Sequence, residues 1–320
     1  MTLSITTSCG TENVLSEMSN KESDAAYFID AKKKLDEMEW DSTISIVTTK
    51  MSATYQGRRD VKMILASAYA GKCGLIFVDL IHGMTNNTAT ELFQYFMGIW
   101  GGRTVNPDSC ESAIAVLQGI GPAASRTTNE NLFLALLGVA RIGTNLSAKL
   151  DAGTPDGAKD ADATVCDEDQ TGNISAWPDP TPLPPFPAVP PGLNHYLQSS
   201  DVKRVAAGLG LVFENITALT DALGGGTTID AIGDMGDACD EALQAIAGPS
   251  ASCSGMVTPD DVSDEMVYAM RVMMDTSDFG FGVCSIDDTA TFITDFTATP
   301  ATTRPGATVC CRTAKPPGVP

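Results

Sequence analysis

The stretch DVKMILASAYAGKCGLIFVDL, residues 60–80, combines regularly spaced apolar residues with several small ones. The apolar positions follow a helical spacing and are Met63, Ile64, Ala68, Tyr69, Leu75, Ile76 and Leu80. The small residues Ala66, Ala70, Gly71 and Gly74 would let a neighbouring helix come close. The pattern therefore predicts one buried helix over 60–80, around which the rest of the chain is organised.

Further helices are predicted on both sides of this stretch. Ser23 is a suitable cap for a helix that begins at Asp24, and Asn106 followed by Pro107 marks another helix start. Residues 129–150 form a strongly apolar helical pattern with Gly138 and Gly143 at small-residue positions. Residues 202–223 continue the series, so the fold class is predicted to be all-α.

An internal periodicity relates the first helices to one another. A shift of 34 residues aligns Leu35 with Tyr69 and Ile44 with Val78. Longer similarities relate 41–47 to 111–117 and 240–246, and 70–77 to 207–213. The period resembles that of tetratricopeptide (TPR) repeats, which implies antiparallel helix pairs in a degenerate repeat. A plain irregular helical bundle is the alternative.

Composition divides the chain into five segments. Residues 177–191 hold eight prolines, which exclude a helix and favour an extended polyproline conformation. The predicted segments are an N-terminal tether (1–22), a helical repeat region (23–150), an Asp/Gly- and Pro-rich insertion (151–192), a second helical region (193–284) and an irregular, disulfide-bearing tail (285–320).

The charge balance argues against two classes of partner. The 320 residues contain 20 lysines and arginines and 40 aspartates and glutamates, a formal net charge of −20. A charge of this sign repels nucleic-acid backbones and anionic lipid surfaces. No run of 18 apolar residues is present, so no transmembrane helix is predicted.

The nine cysteines favour an exported protein with disulfides. They lack the Cys-x-x-Cys spacing of zinc sites, and eight remain when Cys9 is set aside. Closeness in the sequence suggests that Cys239 pairs with Cys253, and Cys284 with Cys310 or Cys311. For Cys73, inside the predicted central helix, a buried free thiol is an open alternative.

Cys9 stands in the setting of a lipid-attachment cysteine. Ser8 precedes it, Gly10 follows it, and a polar, charged stretch continues to Glu22. This arrangement resembles the end of a bacterial lipoprotein signal, although the hydrophobic region of such a signal is missing. The resemblance implies that Cys9 is lipidated and tethers the protein to the bacterial outer membrane, facing the periplasm or the outside.

An acidic loop offers the best candidate for a ligand site. Asp156, Gly157, Asp160 and Asp162 resemble part of the calcium loops of thrombospondin type 3 repeats, and Asp151 precedes them. Calcium prefers several oxygen ligands from a flexible loop with a glycine turn. Calcium bound by these four aspartates is therefore the possible cofactor, and a solvated acidic loop without metal is the alternative.

Enzyme motifs are scarce. Gly-x-Ser-x-Gly, His-Glu-x-x-His and P-loop patterns do not occur, and the two histidines are His82 and His195. The sequence therefore predicts a non-catalytic cell-envelope lipoprotein that acts as a helical scaffold for a protein or peptide partner. The alternatives are a calcium-stabilised surface or adhesive module, and a hydrolase that uses His82 or His195.

Overall fold

The computed structural model of the chain shows a helical protein. It describes residues 22–87, 89, 91–160, 163–165, 195–223, 236, 237, 239–241, 243, 244, 249–275, 280 and 281. Within these ranges the regular structure is helical apart from one pair of two-residue strands, which confirms the all-α prediction. The chain divides into two compact units after Ala68, inside the predicted region 23–150. Each unit is described by itself.

The first unit is a small cluster of short helices. It comprises α1 (Asp24–Asp36), α2 (Trp40–Ser45), a π-helical turn (Ile46–Lys50), α3 (Ala53–Gln56) and the first part of α4 (Arg59–Cys73). The Ser23 hydroxyl accepts a hydrogen bond from the Ala26 amide at 3.2 Å, as its predicted role as a cap requires. The core of this unit consists of Ala31, Ile46, Val47, Met51, Val61 and Ile64.

The predicted helix over 60–80 is wrong, because the chain breaks it at Gly74. Helix α4 ends at Cys73. Gly74 then adopts a φ of 106°, a backbone conformation that residues other than glycine rarely adopt. The Gly74 amide donates to Gly71 and the Leu75 amide donates to Ala70, as in a Schellman helix end. A new helix, α5 (Phe77–Asn86), then begins. Gly74 is thus a helix terminator, and a Cβ at this position would lie 3.3 Å from the Thr104 carbonyl oxygen and 3.6 Å from Trp100 Nε1.

The second unit holds the longer helices. After α5 come α6 (Leu92–Gly98), α7 (Pro107–Gln118), α8 (Thr128–Leu150), β1 (Ala163–Thr164), β2 (His195–Tyr196), α9 (Ser199–Glu214), α10 (Ile216–Leu223) and α11 (Asp264–Asp275). Residues 236, 237, 239–241, 243 and 244 are also helical. The two strands pair in parallel, with Ala163 opposite His195. Asn106 caps α7 as predicted, by accepting from the Ser109 amide.

Helix α8 is the buried centre of the second unit. It starts with a capping box between Thr127 and Glu130. A Cβ at Gly138 would lie 2.7 Å from the carbonyl oxygen of Gly208 in α9, so the two helices touch through their backbones. A Cβ at Gly143 would likewise clash with the ring of Trp100 and with the carbonyl oxygen of Phe96. The predicted small-residue positions therefore do allow close contact, in α8.

Helix α8 is also the one described helix that is long and apolar enough to cross a membrane, a possibility that the sequence prediction did not include. However, 72% of its most apolar window is buried within the protein. Burial of that extent is also found in the core helices of proteins outside membranes.

The TPR-like pairing stays a prediction. One of its supports is weakened, because the similar stretches lie in different structural settings. Residues 70–77 contain the end of α4 and the start of α5, whereas residues 207–213 lie inside α9.

Candidate functional site

The aspartates of the acidic loop are engaged by the loop's own backbone. The two carboxylate oxygens of Asp151 accept from the amides of Asp156 at 3.0 Å and Gly157 at 2.8 Å. Asp160 accepts from the Gly153 amide at 2.7 Å, and Asp156 accepts from the Ala158 amide at 2.9 Å. These bonds shape the loop, and each uses an oxygen that a cation would need.

Backbone contacts fasten this loop to the end of α6. The Gly102 amide donates to the Pro155 carbonyl at 2.5 Å. A Cβ at Gly101 would lie 2.7 Å from the Asp156 carbonyl oxygen, and Gly157 adopts a φ of 91°. Within the residues that the structure describes, no three side chains of the metal-binding types converge. Asp162 lies outside those residues, and calcium stays a prediction.

Asp151 gives the loop a pH dependence whose sign can be worked out. Its side chain is 1% exposed, and desolvation raises the pKa of its carboxyl above 3.8. The folded protein then holds a proton that the unfolded chain has already lost, so the contribution of Asp151 to the free energy of unfolding falls as pH rises above about 4. We expect Asp151→Asn to flatten this dependence in urea titrations at a series of pH values. An identical slope in the variant would contradict the assignment.

Four of the cysteines form two disulfides. Cys239 pairs with Cys253, as predicted from their closeness, with their Cα atoms 6.1 Å apart. Cys73 pairs with Cys110 across a Cα distance of 5.1 Å and a sequence separation of 37, which replaces the alternative of a free thiol. Cys9, Cys284, Cys310 and Cys311 lie outside the described residues, so their predicted roles stay open.

The Cys73–Cys110 disulfide is expected to stabilise the protein substantially. Replacing both residues with alanine should lower the free energy of unfolding by about 4 kcal/mol, because the bridge closes a long loop in the unfolded chain. The same change at Cys239 and Cys253, which are 14 residues apart, should cost about 1 kcal/mol less. Urea titration measures both values, and peptide mapping without reduction checks the pairs. Cys73 linked to any other cysteine would refute the pairing.

The two histidines are not brought into any described catalytic arrangement. His82 is exposed on α5, and His195 lies on β2, where its backbone is described but its side chain is not. The hydrolase alternative therefore stays a prediction.

A buried ion pair that the sequence analysis missed lies between α7 and α8. Arg141 is 2% exposed, and its Nε donates to Glu111 Oε1 at 2.8 Å while Nη2 donates to the other carboxylate oxygen. A third donor, Nη1, reaches the Val257 carbonyl. Burial lowers the pKa of Arg141 against the opposing effect of Glu111. With its donors used internally, this pair is a structural element and not a binding site.

The first unit has a second feature that the sequence analysis did not predict. It is a surface on which cations lie over aromatic rings. Lys50 Nζ is 5.7 Å from the Tyr27 ring centre, and Lys32 Nζ is 5.9 Å from that of Phe28. Arg58 Cζ lies 4.3 Å from the centre of the Tyr55 ring. We call these residues the cation–aromatic surface, and it is made of two groups of contacts: Lys50 on Tyr27, and Lys32, Arg58 and Tyr55 around Phe28.

Contacts between separate elements hold the cation–aromatic surface together. Phe28 and Tyr55 meet edge to face with their centres 6.1 Å apart. The Ser52 hydroxyl and amide donate to Asp24 at 2.6 and 2.7 Å and hold the pKa of that carboxyl below its usual value. The local signals in the sequence were Phe28 four residues before Lys32 and Tyr55 three residues before Arg58; the other partners come from distant positions.

Exposed apolar side chains accompany these features. Ile29, next to Phe28 on α1, is 70% exposed. In the second unit, Phe77 and Val78 at the start of α5 are 61% and 74% exposed. Exposed apolar residues next to polar ones are typical of interaction surfaces when they cluster.

Comparison with known proteins adds no assignment to these features. No protein-family model, no curated protein and no solved structure matches the chain, so its function has to be inferred from its own residues.

Proposed function

We propose that this protein is a non-catalytic, exported scaffold of the bacterial cell envelope that binds a protein or peptide partner. The observation that carries the proposal is the cation–aromatic surface, together with Ile29, the exposed residue that follows Phe28 on α1. Aromatic rings and arginine are enriched at the centres of protein interfaces, because they bury a large area and also form directed polar contacts. A TPR-like arrangement of the helices would place this surface on a binding scaffold.

Export is supported by the two disulfides. Structural disulfides persist in oxidising compartments such as the periplasm and are rare in the cytosol. In this proposal Cys9 carries the lipid, and the residues up to Glu22 connect it to the first unit. The intact mass of protein purified from the membranes of its native host tests this part. A chain that begins at Cys9 with added acyl mass supports it, and an unlipidated chain whose mass does not change on reduction refutes it.

Site-specific photo-crosslinking tests the binding part. A photoreactive amino acid at Ile29 should give a discrete protein adduct in intact cells of the native host. The same amino acid at Val78, which is 74% exposed in the second unit, is the matched control. An adduct specific to position 29 supports a protein partner at this surface. No adduct at position 29, or the same adducts at both positions, would refute it.

A further inference from the structure

A short segment next to the Cys239–Cys253 disulfide is fastened to several helices. We call residues 252–258 the strap, and it includes one 3-10 turn (Cys253–Gly255). The Val257 carbonyl accepts from Gln118 Nε2 of α7 at 3.3 Å and from Arg141 Nη1 of α8 at 3.4 Å. One carbonyl of the strap thus connects two helices of the second unit.

The strap also packs against α9, backbone to backbone. A Cβ at Gly210 would clash with the carbonyl oxygens of Met256 and Cys253. The Met256 side chain is buried, at 1% exposure. The close approach of the strap to α9 therefore depends on the missing side chain at position 210.

The start of the strap is held by the helical residues 239–241. The Cys253 amide donates to Asp240 Oδ1 at 2.6 Å, and the Ser252 hydroxyl donates to the same carboxylate at 3.3 Å. The disulfide to Cys239 lies beside these bonds, and both of its cysteines are buried. This end of the strap is therefore held by a covalent bond as well as by hydrogen bonds.

The contacts other than the disulfide are modest for a segment of seven residues. Cys253 and Met256 are the apolar residues that the strap buries. Ordering the segment costs conformational entropy, and hydrogen bonds that replace bonds to water offset only part of that cost. The disulfide lowers the cost, because it keeps Cys253 next to Cys239 before the strap docks.

We propose that the strap is a redox-dependent element of the fold. The Cys239–Cys253 disulfide locks it onto α7, α8 and α9, and reduction of that disulfide lets it open while these helices stay folded. Opening also removes the carbonyl partner of Arg141 Nη1. This behaviour goes beyond the proposed function, since the strap opens and closes without a binding partner.

Thiol–disulfide exchange supplies the chemistry. A small dithiol gives two electrons and two protons, the S–S bond breaks, Cys239 and Cys253 become thiols, and the dithiol is oxidised to its own disulfide. The reverse exchange, with an oxidised dithiol, forms the bond and locks the strap. Because both cysteines are buried once the strap has docked, the locked state persists in compartments that keep structural disulfides.

Native-state hydrogen exchange over a series of low urea concentrations tests the strap on the full-length protein. In Cys239→Ala combined with Cys253→Ala, the strap amides should exchange at least about tenfold faster than in the oxidised protein. Their rate should not depend on urea, because a local opening exposes little surface. Amides of α8 in the same variant should show the steep urea dependence of global unfolding. In the oxidised protein, the strap and α8 should share that steep dependence.

The matched control is Cys73→Ala combined with Cys110→Ala, which removes the disulfide that closes the longer loop. Its strap amides should keep the urea dependence of α8. Urea-independent exchange of the strap in this control, or already in the oxidised protein, would overturn the inference. Strap exchange that follows α8 when Cys239 and Cys253 are replaced would overturn it as well.

Circular dichroism checks that each variant folds. Trimethylamine N-oxide is added to all samples, because it favours the folded state of a weakened variant. A Cys239→Ala/Cys253→Ala variant that stays unfolded in its presence would show that this disulfide holds the second unit as a whole. That outcome would also overturn the local, redox-dependent strap.

Discussion

Replacing Glu111 with alanine should lower the free energy of unfolding by about 4 kcal/mol. The change removes the carboxylate that receives two hydrogen bonds from Arg141, whose guanidinium is 2% exposed. Breaking a buried pair on one side leaves an uncompensated charge, which typically costs about 3–5 kcal/mol. Urea unfolding followed by circular dichroism measures the loss.

Two companion variants separate the buried charge from other effects. Replacing both Glu111 and Arg141 with leucine should recover most of the loss, because apolar side chains of similar size carry no desolvation penalty. Asp264→Ala breaks the Lys203–Asp264 pair, in which Asp264 is 85% exposed, and should change stability by less than about 1 kcal/mol. A Glu111→Ala effect as small as that of Asp264→Ala would contradict the buried pair.

Replacing Gly208 with leucine should destabilise the second unit by about 3 kcal/mol. A Cβ at this position would lie 2.6 Å from Ile142 Cγ1 and 2.9 Å from the Gly138 carbonyl oxygen. The second of these atoms is backbone, so α8 and α9 would have to separate, and overpacking of this kind costs about 1–3 kcal/mol or more. The sign of this effect is informative, because replacing a glycine inside a helix otherwise makes the protein more stable.

The matched control for this variant is Gly255→Leu. A Cβ at Gly255 would come no closer than 4.0 Å to a neighbouring atom, that of Ser252, so the change should cost less than about 1 kcal/mol. Gly208→Ala and Ile142→Ala combined should cost less than the sum of the two single changes, since shortening Ile142 removes the first clash. Thermal melting of the set measures these differences. Equal losses at Gly208 and Gly255 would refute the contact between α8 and α9.

Local signals in the sequence predicted the helix starts correctly. Ser23 and Asn106 act as caps because each accepts a bond from an amide three residues further on. The Cys239–Cys253 pair was also predictable, because two cysteines only 14 residues apart stay close to each other along the chain. The break at Gly74 had a local signal as well, the glycine itself, but the continuing apolar spacing on either side pointed to one helix. Spacing reports which residues are buried, and it does not report a change in helix direction.

The geometry of the acidic loop and of the cation–aromatic surface, in contrast, could not be predicted from local signals in the sequence. The acidic loop was predicted from its composition, yet the amides that occupy Asp151 and Asp160 depend on how the loop folds back. The cation–aromatic surface joins Tyr27 to Lys50 and Phe28 to Arg58, pairs with no fixed sequence spacing. Calcium, Cys9 lipidation, the binding function and the TPR-like pairing all stay predictions.

The sequence by itself determined the helical class, the strongly acidic charge and the helix starts. These properties depend on composition and on interactions between residues a few positions apart. Only the tertiary structure decided that Arg141 meets Glu111, that Gly138 meets Gly208, that Cys73 pairs with Cys110 and that cations gather over Tyr27, Phe28 and Tyr55. The physical reason is that such partners are selected by packing and burial across long sequence separations, where one local pattern is compatible with many neighbours.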